Sequence, residues 1–317
     1  MIFKQPLRPG ISLSAIGLGG HEYLGDGSSR GFNEDFKSAV KPGYRAEGYG
    51  GEARQQLLGR ALEAGINFFD VTIDPEKEAL GRNLRKAVMP APFHVQTRPE
   101  GMGYGYDPGN RKMAEPALLR AEVVRILELM HCEWIDFLNI PIRQSALDGD
   151  PEYMEKIREN VAGLKRDGFV RFATAENFSG EATYMEQIDA GCFDALVMNF
   201  SFADDAARED VLPRAHKAGM AVFARELFLK GVLFRMGEEA GLTDRSQLAR
   251  LSLKWNLGVP EVTSSIIGVR DTGELENCLS VLADPVLTIE EGDRLEQLRQ
   301  TSVYREYAES RRAKFLG

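Results

Sequence analysis

Six side chains of the types that move protons or hold charge stand at or just past the ends of short apolar runs in this chain: His21, Asp70, Asp74, Arg98, Asn139 and Glu176. An imidazole exchanges protons near neutral pH, a carboxylate accepts them, and a guanidinium grips a carboxylate through paired hydrogen bonds. Gathered on one rim, the set would seat a polar or carboxylated substrate on Arg98 and use His21 or a carboxylate as acid and base. Plainer roles compete. Asp74 and Glu76 flank Pro75 ahead of a helical stretch, where carboxylates cap, and Asp70 and Arg98 can close on each other as an internal ion pair. His94, in mid-strand, reads as a core histidine. The adjacent His131 and Cys132 lack the spacing of a metal site, and Gly17-Leu18-Gly19-Gly20 lacks the third glycine and following helix of a dinucleotide fingerprint.

The elements that must position these residues follow from periodicity. Apolar runs of strand length alternate with amphipathic stretches of helix length from about residue 50 to 270, the pattern of βαβ units on a parallel sheet. Strands are expected at 14–18, 66–70, 93–97, 134–140, 170–175, 195–199, 221–224 and 264–267. Helices are expected at 52–65, 77–88, 116–130, 152–167, 180–190, 208–218, 246–257 and 273–282, with Gly65 and Gly168 as stops. Right-handed crossovers repeated in one sense carry such a sheet round until it closes, so the expected fold is one (β/α)8 TIM barrel domain over residues 1–317. Residues 1–13, turning at Arg8-Pro9-Gly10, are expected to form a hairpin that plugs the barrel floor. The long glycine-rich connections 21–51 and 98–115 follow strands and therefore belong to the carboxyl face. In the first of them the interleaved Phe32, Phe36, Tyr44 and Tyr49 predict an ordered lid.

Composition narrows the class. With 317 residues, 43% hydrophobic and 27% charged, the chain suits a soluble protein with a large core. No apolar run approaches the roughly 20 residues of a membrane span. A net charge of −9 without a Lys/Arg block speaks against a nucleic-acid partner. The start Met1-Ile2-Phe3-Lys4-Gln5-Pro6 lacks the basic and long apolar segments of a signal peptide, so a cytoplasmic location is expected. Cys132, Cys192 and Cys278 read as buried free thiols.

Several segments taken together resemble the aldo-keto reductase family. Leu7 to Gly19 is similar to its hairpin and first strand, Gly65-Ile66-Asn67-Phe68-Phe69-Asp70 to its second strand, Trp134-Ile135-Asp136-Phe137-Leu138 to its fourth, and Arg171 to Phe178 to its fifth. Ser264-Ser265-Ile266-Ile267-Gly268-Val269-Arg270 with Leu275-Glu276-Asn277 resembles the segment that wraps the adenosine end of NADP. The resemblance implies cofactor binding by Ser264, Gly268, Arg270, Glu276 and Asn277, and free amides at a helix start together with an arginine suit a phosphate. On the nicotinamide side it implies Asn177, with Phe200 as the stacking ring; Glu176 stands where the family has a serine, and Val197 where it has a glutamine.

The family's chemistry uses an aspartate, a tyrosine, a lysine and a histidine, and this chain keeps the aspartate alone, as Asp70. The tyrosine position falls at or near Pro75, the lysine position at Arg98 and the histidine position at Pro141. A guanidinium does not shuttle protons at neutral pH and proline has no side-chain function. The expected activity is therefore that of an NADP(H)-binding oxidoreductase acting on a small polar carbonyl or hydroxyl compound with a non-standard acid/base set drawn from Asp70, Arg98, His21 and Glu176. The alternatives are a non-redox epimerase or lyase using the same residues, and a ligand-binding pseudoenzyme without turnover.

Overall fold

The computed structural model describes residues 1–86, 92–103 and 107–317. The expected helix end at Val88 and the loop residues Tyr104, Gly105 and Tyr106 lie outside them. Two short strands, β1 (Phe3–Lys4) and β2 (Leu13–Ser14), pair antiparallel as the expected hairpin. Eight more follow: β3 (Ile16–Gly19), β4 (Phe68–Val71), β5 (His94–Thr97), β6 (Ile135–Ile142), β7 (Val170–Asn177), β8 (Ala195–Asn199), β9 (Ala221–Arg225) and β10 (Ser264–Ile267). They close into a parallel barrel in chain order, with β10 returning to pair β3. The expected (β/α)8 barrel is therefore the fold.

Side chains alternate inward and outward along a strand, so positions two apart share a face. That spacing divides the barrel interior into two tiers. Leu13, Phe68, Phe137, Val197, Phe223 and Ile266 form an apolar floor. Phe68 meets Phe137 edge-on at 5.7 Å between ring centroids and lies tilted on Phe223 at 4.3 Å, geometries that aromatic rings favour. Two residues further on, the same strands carry Asp70, Asn139, Asn199 and Arg225. Leu13 of the hairpin belongs to the floor, which is how the hairpin plugs it.

Helices α1 (Glu52–Glu63), α2 (Asp74–Leu84), α3 (Pro116–Met130), α4 (Tyr153–Arg166), α5 (Glu181–Ala190), α6 (Val211–Lys217), α7 (Arg245–Leu257) and α8 (Thr272–Leu279) surround the barrel. Gly65 and Gly168 follow α1 and α4 at φ +85° and +78°, left-handed geometry that lets glycine end a helix without strain. α2 begins at Asp74 and not at the expected Lys77, because Pro75 fits a first turn, where its missing N–H has no partner to lose. Two further helices, Ile289–Arg299 and Ser302–Leu316, lie beyond the alternating pattern.

The connection 21–51 is ordered. It contains a short helix, Phe36–Ala39, and packs Ala39, Val40 and Tyr49 against Ile73 and Ala79 at the start of α2, with Phe32 and Tyr44 alongside. The cysteines are free thiols; Cys278 is buried, while Cys132 and Cys192 are half-buried. Among the described residues no helix is long and apolar enough to cross a membrane.

α2 and α3 approach closely at Gly81, where an added Cβ would lie 2.1 Å from the Met130 carbonyl oxygen. Backbone cannot yield as a side-chain tip can, so Gly81→Ala is expected to destabilise the fold by about 1–3 kcal/mol. Chemical denaturation measures this, and an unchanged midpoint would contradict the packing.

Candidate active site

The carboxyl ends of the strands hold a set of buried charges tied to one another. Asp70, in β4, accepts a hydrogen bond from Gln96 Nε2 at 2.8 Å, one strand along. Arg98, just past β5, donates to Glu176 Oε1 at 3.1 Å and to Thr72 Oγ1 at 3.1 Å. Arg225, the last residue of β9, lies 2.6 Å from the same Glu176 oxygen and donates through Nε to Asn199 Oδ1 at 2.9 Å. The ion pair of Arg98 is thus with Glu176. Burial disfavours the charged form of Glu176, yet Arg98 and Arg225 hold its pKa below the usual carboxylate value. For Asp70 the balance is opposite: burial pushes it up, against the pull of Arg98 and the Gln96 hydrogen bond.

His21 reaches the rim through a crossing that only glycine permits. Gly20 N–H donates to the Asp70 carbonyl at 2.7 Å. A Cβ on Gly20 would stand 2.8 Å from Val71 and 2.9 Å from Glu76 Oε2. With the chain pressed there, His21 Nδ1 meets Glu76 Oε1 at 2.5 Å, and the Thr72 amide donates to Glu76 Oε2 at 2.8 Å. Burial favours neutral imidazole, but Glu76 and then Asp70 outweigh it and raise the His21 pKa, with Arg98 opposing them. Glu76, pressed upward by burial, is held low chiefly by His21. Tyr23, whose ring lies 6.2 Å from that of His21, is a poor donor, since burial and Glu76 push its phenol up to about 12.

The neighbouring carboxylates do not cap. Asp74 takes Arg125 at 2.6 Å, the Gly43 amide at 2.7 Å and Lys77 at 3.3 Å, and Lys77 also faces Glu100 at 3.4 Å. Lys77 is fully buried. His94 is satisfied by Asp136 at 3.3 Å, as a core histidine should be. Among the described residues no group of three His, Cys, Asp or Glu could hold a metal.

The residues expected at a nucleotide lie elsewhere on the same face. Gly268 receives the Tyr23 phenol so closely that a Cβ there would be 2.2 Å from its oxygen. Arg270 donates through its backbone N–H and Nε to Glu274 at 2.8 and 2.7 Å, and Asp271 caps α8 by accepting from the Glu274 amide at 2.9 Å. Glu276 pairs with Arg60, and Asn277 is held by Arg250 and the Ser246 carbonyl. Ser264 is fully buried in β10. Asn177 closes an Asx turn by accepting from the Ser179 and Gly180 amides at 3.0 and 2.9 Å. Phe200 is fully buried against Trp255 at 5.4 Å, and Val197 belongs to the floor, so neither faces the rim.

Gln96, Thr72 and Arg225 join the candidate site without having been singled out for it by sequence, and Glu76 reads from sequence chiefly as a helix cap. Arg225 had a usable signal, an arginine ending an apolar strand. Nothing local pairs Glu76 with His21, because the two lie 55 residues apart along the chain.

A closed parallel barrel with its ionisable side chains gathered at the carboxyl ends of the strands is the active face of the (β/α)8 class. The family model for the aldo/keto reductase family matches residues 43–247. The chain belongs to that family. Its structure is similar to that of the glycerol dehydrogenase AKR11B4 from Gluconobacter oxydans, with a TM-score of 0.69 at 20% identity over 94% of each chain. It is also similar to the aldo-keto reductase AKR11C1 from Bacillus halodurans, with a TM-score of 0.66 at 16% identity over 97% of this chain and 99% of that one. An aldo-keto reductase from Klebsiella pneumoniae in complex with NADPH gives 0.64 at 16% identity over 94% and 95%. No curated protein sequence matches the chain.

Two titrations check these electrostatics. In the wild type His21 is expected to titrate above the ordinary 6.5, and in Glu76→Gln to move down, because burial and Arg98 then face Asp70 alone; imidazole NMR shifts against pH read both. Burial pushes Glu100 from 4.5 to about 7 despite Lys77. The folded state then holds a proton that the unfolded state has lost, so stability is expected to fall as pH rises from 4.5 to about 7. Glu100→Gln should flatten that slope in denaturation midpoints.

Proposed function

We propose that this protein is an NADP(H)-dependent oxidoreductase acting on a small polar carbonyl or hydroxyl compound, with His21 as the proton donor and acceptor and Glu76 as the group that orients it. The observation that carries the reading is the 2.5 Å contact between His21 Nδ1 and Glu76 Oε1 at the barrel rim. A buried carboxylate on one ring nitrogen fixes the tautomer and leaves the other nitrogen to exchange a proton.

The adenosine end of the dinucleotide fits the residues present. The Arg270 guanidinium and the amides around the start of α8 already hold anions, the carboxylates of Glu274 and Asp271. The Arg270–Glu274 pair is exposed at 45% and 38%, so a phosphate can replace the carboxylate at small cost. Gly268, Glu276 and Asn277 adjoin the same helix start. Bound there, the dinucleotide supplies or accepts a hydride.

The remaining work belongs to the chain. Protonated His21 gives its Nε2 proton to a carbonyl oxygen during reduction, and neutral His21 takes a proton from a hydroxyl during oxidation. Asp70 stabilises the imidazolium from the second strand end, and the Glu76 carboxylate remains ionised through the cycle. Arg98 and Arg225 provide fixed positive charge where the substrate's polar groups arrive. In the reductive direction the rate should decline as pH rises past the raised pKa of His21.

NADPH binding is read by fluorescence titration, and Arg270→Ala is expected to weaken it about tenfold or more. Turnover is read as stoichiometric oxidation of NADPH by carbonyl compounds, and His21→Gln should lower it by about 10²–10⁴ while sparing NADPH affinity. Absence of NADPH binding removes the reading; binding without oxidation of NADPH by any carbonyl compound favours the pseudoenzyme.

A further inference from the structure

We propose that Arg54 is a positioning residue of the His21–Glu76 pair: it supplies the fixed counter-cation that Glu76 keeps when His21 gives up its proton. The inference rests on the reading above and adds a residue to it. Arg54 stands in the first turn of α1 and is half-buried. Its Nη2 donates to the Gly19 carbonyl, the last of β3, at 2.6 Å. The amide of that same peptide unit, Gly20 N–H, is held by the Asp70 carbonyl at 2.7 Å. The peptide that launches His21 therefore fixes the guanidinium as well. A cavity of about 10 Å³ lies beside it, lined by Arg54, Glu76, Glu22, Gly20 and Asn83. That is the space of about one water molecule, so neither substrate nor nucleotide can come between Arg54 and Glu76 there.

The need for a second cation follows from the cycle. Protonated His21 is the positive charge in contact with Glu76, at 2.5 Å. Once that proton has gone to a substrate, the Glu76 carboxylate is left buried beside a neutral ring, and burial then favours a proton on the carboxylate itself. Arg54 opposes this: after His21 and the Thr72 amide, it too holds the Glu76 pKa down. Glu22, the other carboxylate at the cavity, has partners of its own in the Gly50 amide at 2.6 Å and Arg30 at 3.4 Å. The phenols of Tyr23 and Tyr49, which also face Glu76, stay neutral, pushed up by burial and by Glu76. His21 itself faces Asp70, which favours its proton, and Arg98, which opposes it. Both are present in every variant below.

Imidazole NMR of the protein without nucleotide is the test. Arg54→Gln is expected to move the His21 midpoint up by about half a pH unit or more, because the pair holds its proton more tightly without the outer cation. Arg54→Lys keeps the charge and should stay near wild type. A merely structural loss acts the other way, since an imidazole freed from Glu76 falls back toward 6.5. In a Glu76→Gln background, Arg54→Gln should shift His21 far less. In the wild type, the Glu76 carboxyl carbon should show the ionised form just below the His21 midpoint as well as above it, a measurement that needs no variant to fold. The inference is overturned if Arg54→Gln leaves the midpoint in place or lowers it, if Arg54→Lys moves it as Arg54→Gln does, if the shift persists whole in Glu76→Gln, or if Glu76 is protonated just below the wild-type midpoint. NADPH oxidation by carbonyl compounds is read separately: the expected shift in a protein that oxidises none keeps Arg54 and removes the redox reading, while turnover without the shift removes Arg54 alone.

Discussion

Charge drawn into the interior of a barrel must be met by groups on neighbouring strands, because water cannot follow it there in bulk. Glu176 is fully buried and meets that requirement with Arg98 and Arg225. The three belong to β7, the end of β5 and β9, so one carboxylate links three strands. Gln96 and Asp70 tie β5 to β4, and Arg225 and Asn199 tie β9 to β8. The upper end of the barrel is thereby laced across strands by side chains as well as by backbone ladders. Removing Glu176 leaves two buried guanidiniums without the carboxylate they share, which is why the set behaves as one unit.

The lacing is possible only because stability is supplied lower down. The floor, built on Phe68, Phe137, Phe223 and their neighbours, is apolar and fully buried, with its aromatic rings in contact. A step of two residues along the same strands passes from aromatic rings to carboxylates and guanidiniums. Stability and chemistry are thus separated by height within one set of strands, and the rim can change its residues without disturbing the floor. Lys77, Glu100, Asp74 and Arg125 form a second buried charge network beneath the connection 21–51, so that loop rests on a polar foundation as well as the apolar contacts of Ile73 and Ala79.

Period and punctuation made the barrel legible. β8 and β10 fall at the residues expected, and the glycine stops after α1 and α4 are where the chain reverses. Those signals are local, and local signals survive in a single sequence. The candidate site was legible as strand-end residues: His21, Asp70, Arg98 and Glu176 stand at or just past the ends of β3, β4, β5 and β7. It was not legible where partners come from far along the chain. A carboxylate beside a first-turn proline reads as a cap, and only the fold shows the chain at Gly20 pressed against Glu76 and His21 in contact with it. Arg225 lay one residue past the expected end of its strand. Phe200 follows a strand as a stacking ring would, but Trp255 of α7, 55 positions on, covers it.

Arg98 does two jobs at the rim: it keeps Glu176 ionised and, at longer range, works against protonation of His21. That cation and burial both favour the neutral imidazole. Glu76 opposes them most, by direct contact, and Asp70 opposes them further from the neighbouring strand end. Proton affinity at the rim is set by a contest between Glu76 with Asp70 on one side and burial with Arg98 on the other, and its outcome is a His21 imidazole that holds its proton more tightly than an ordinary histidine does.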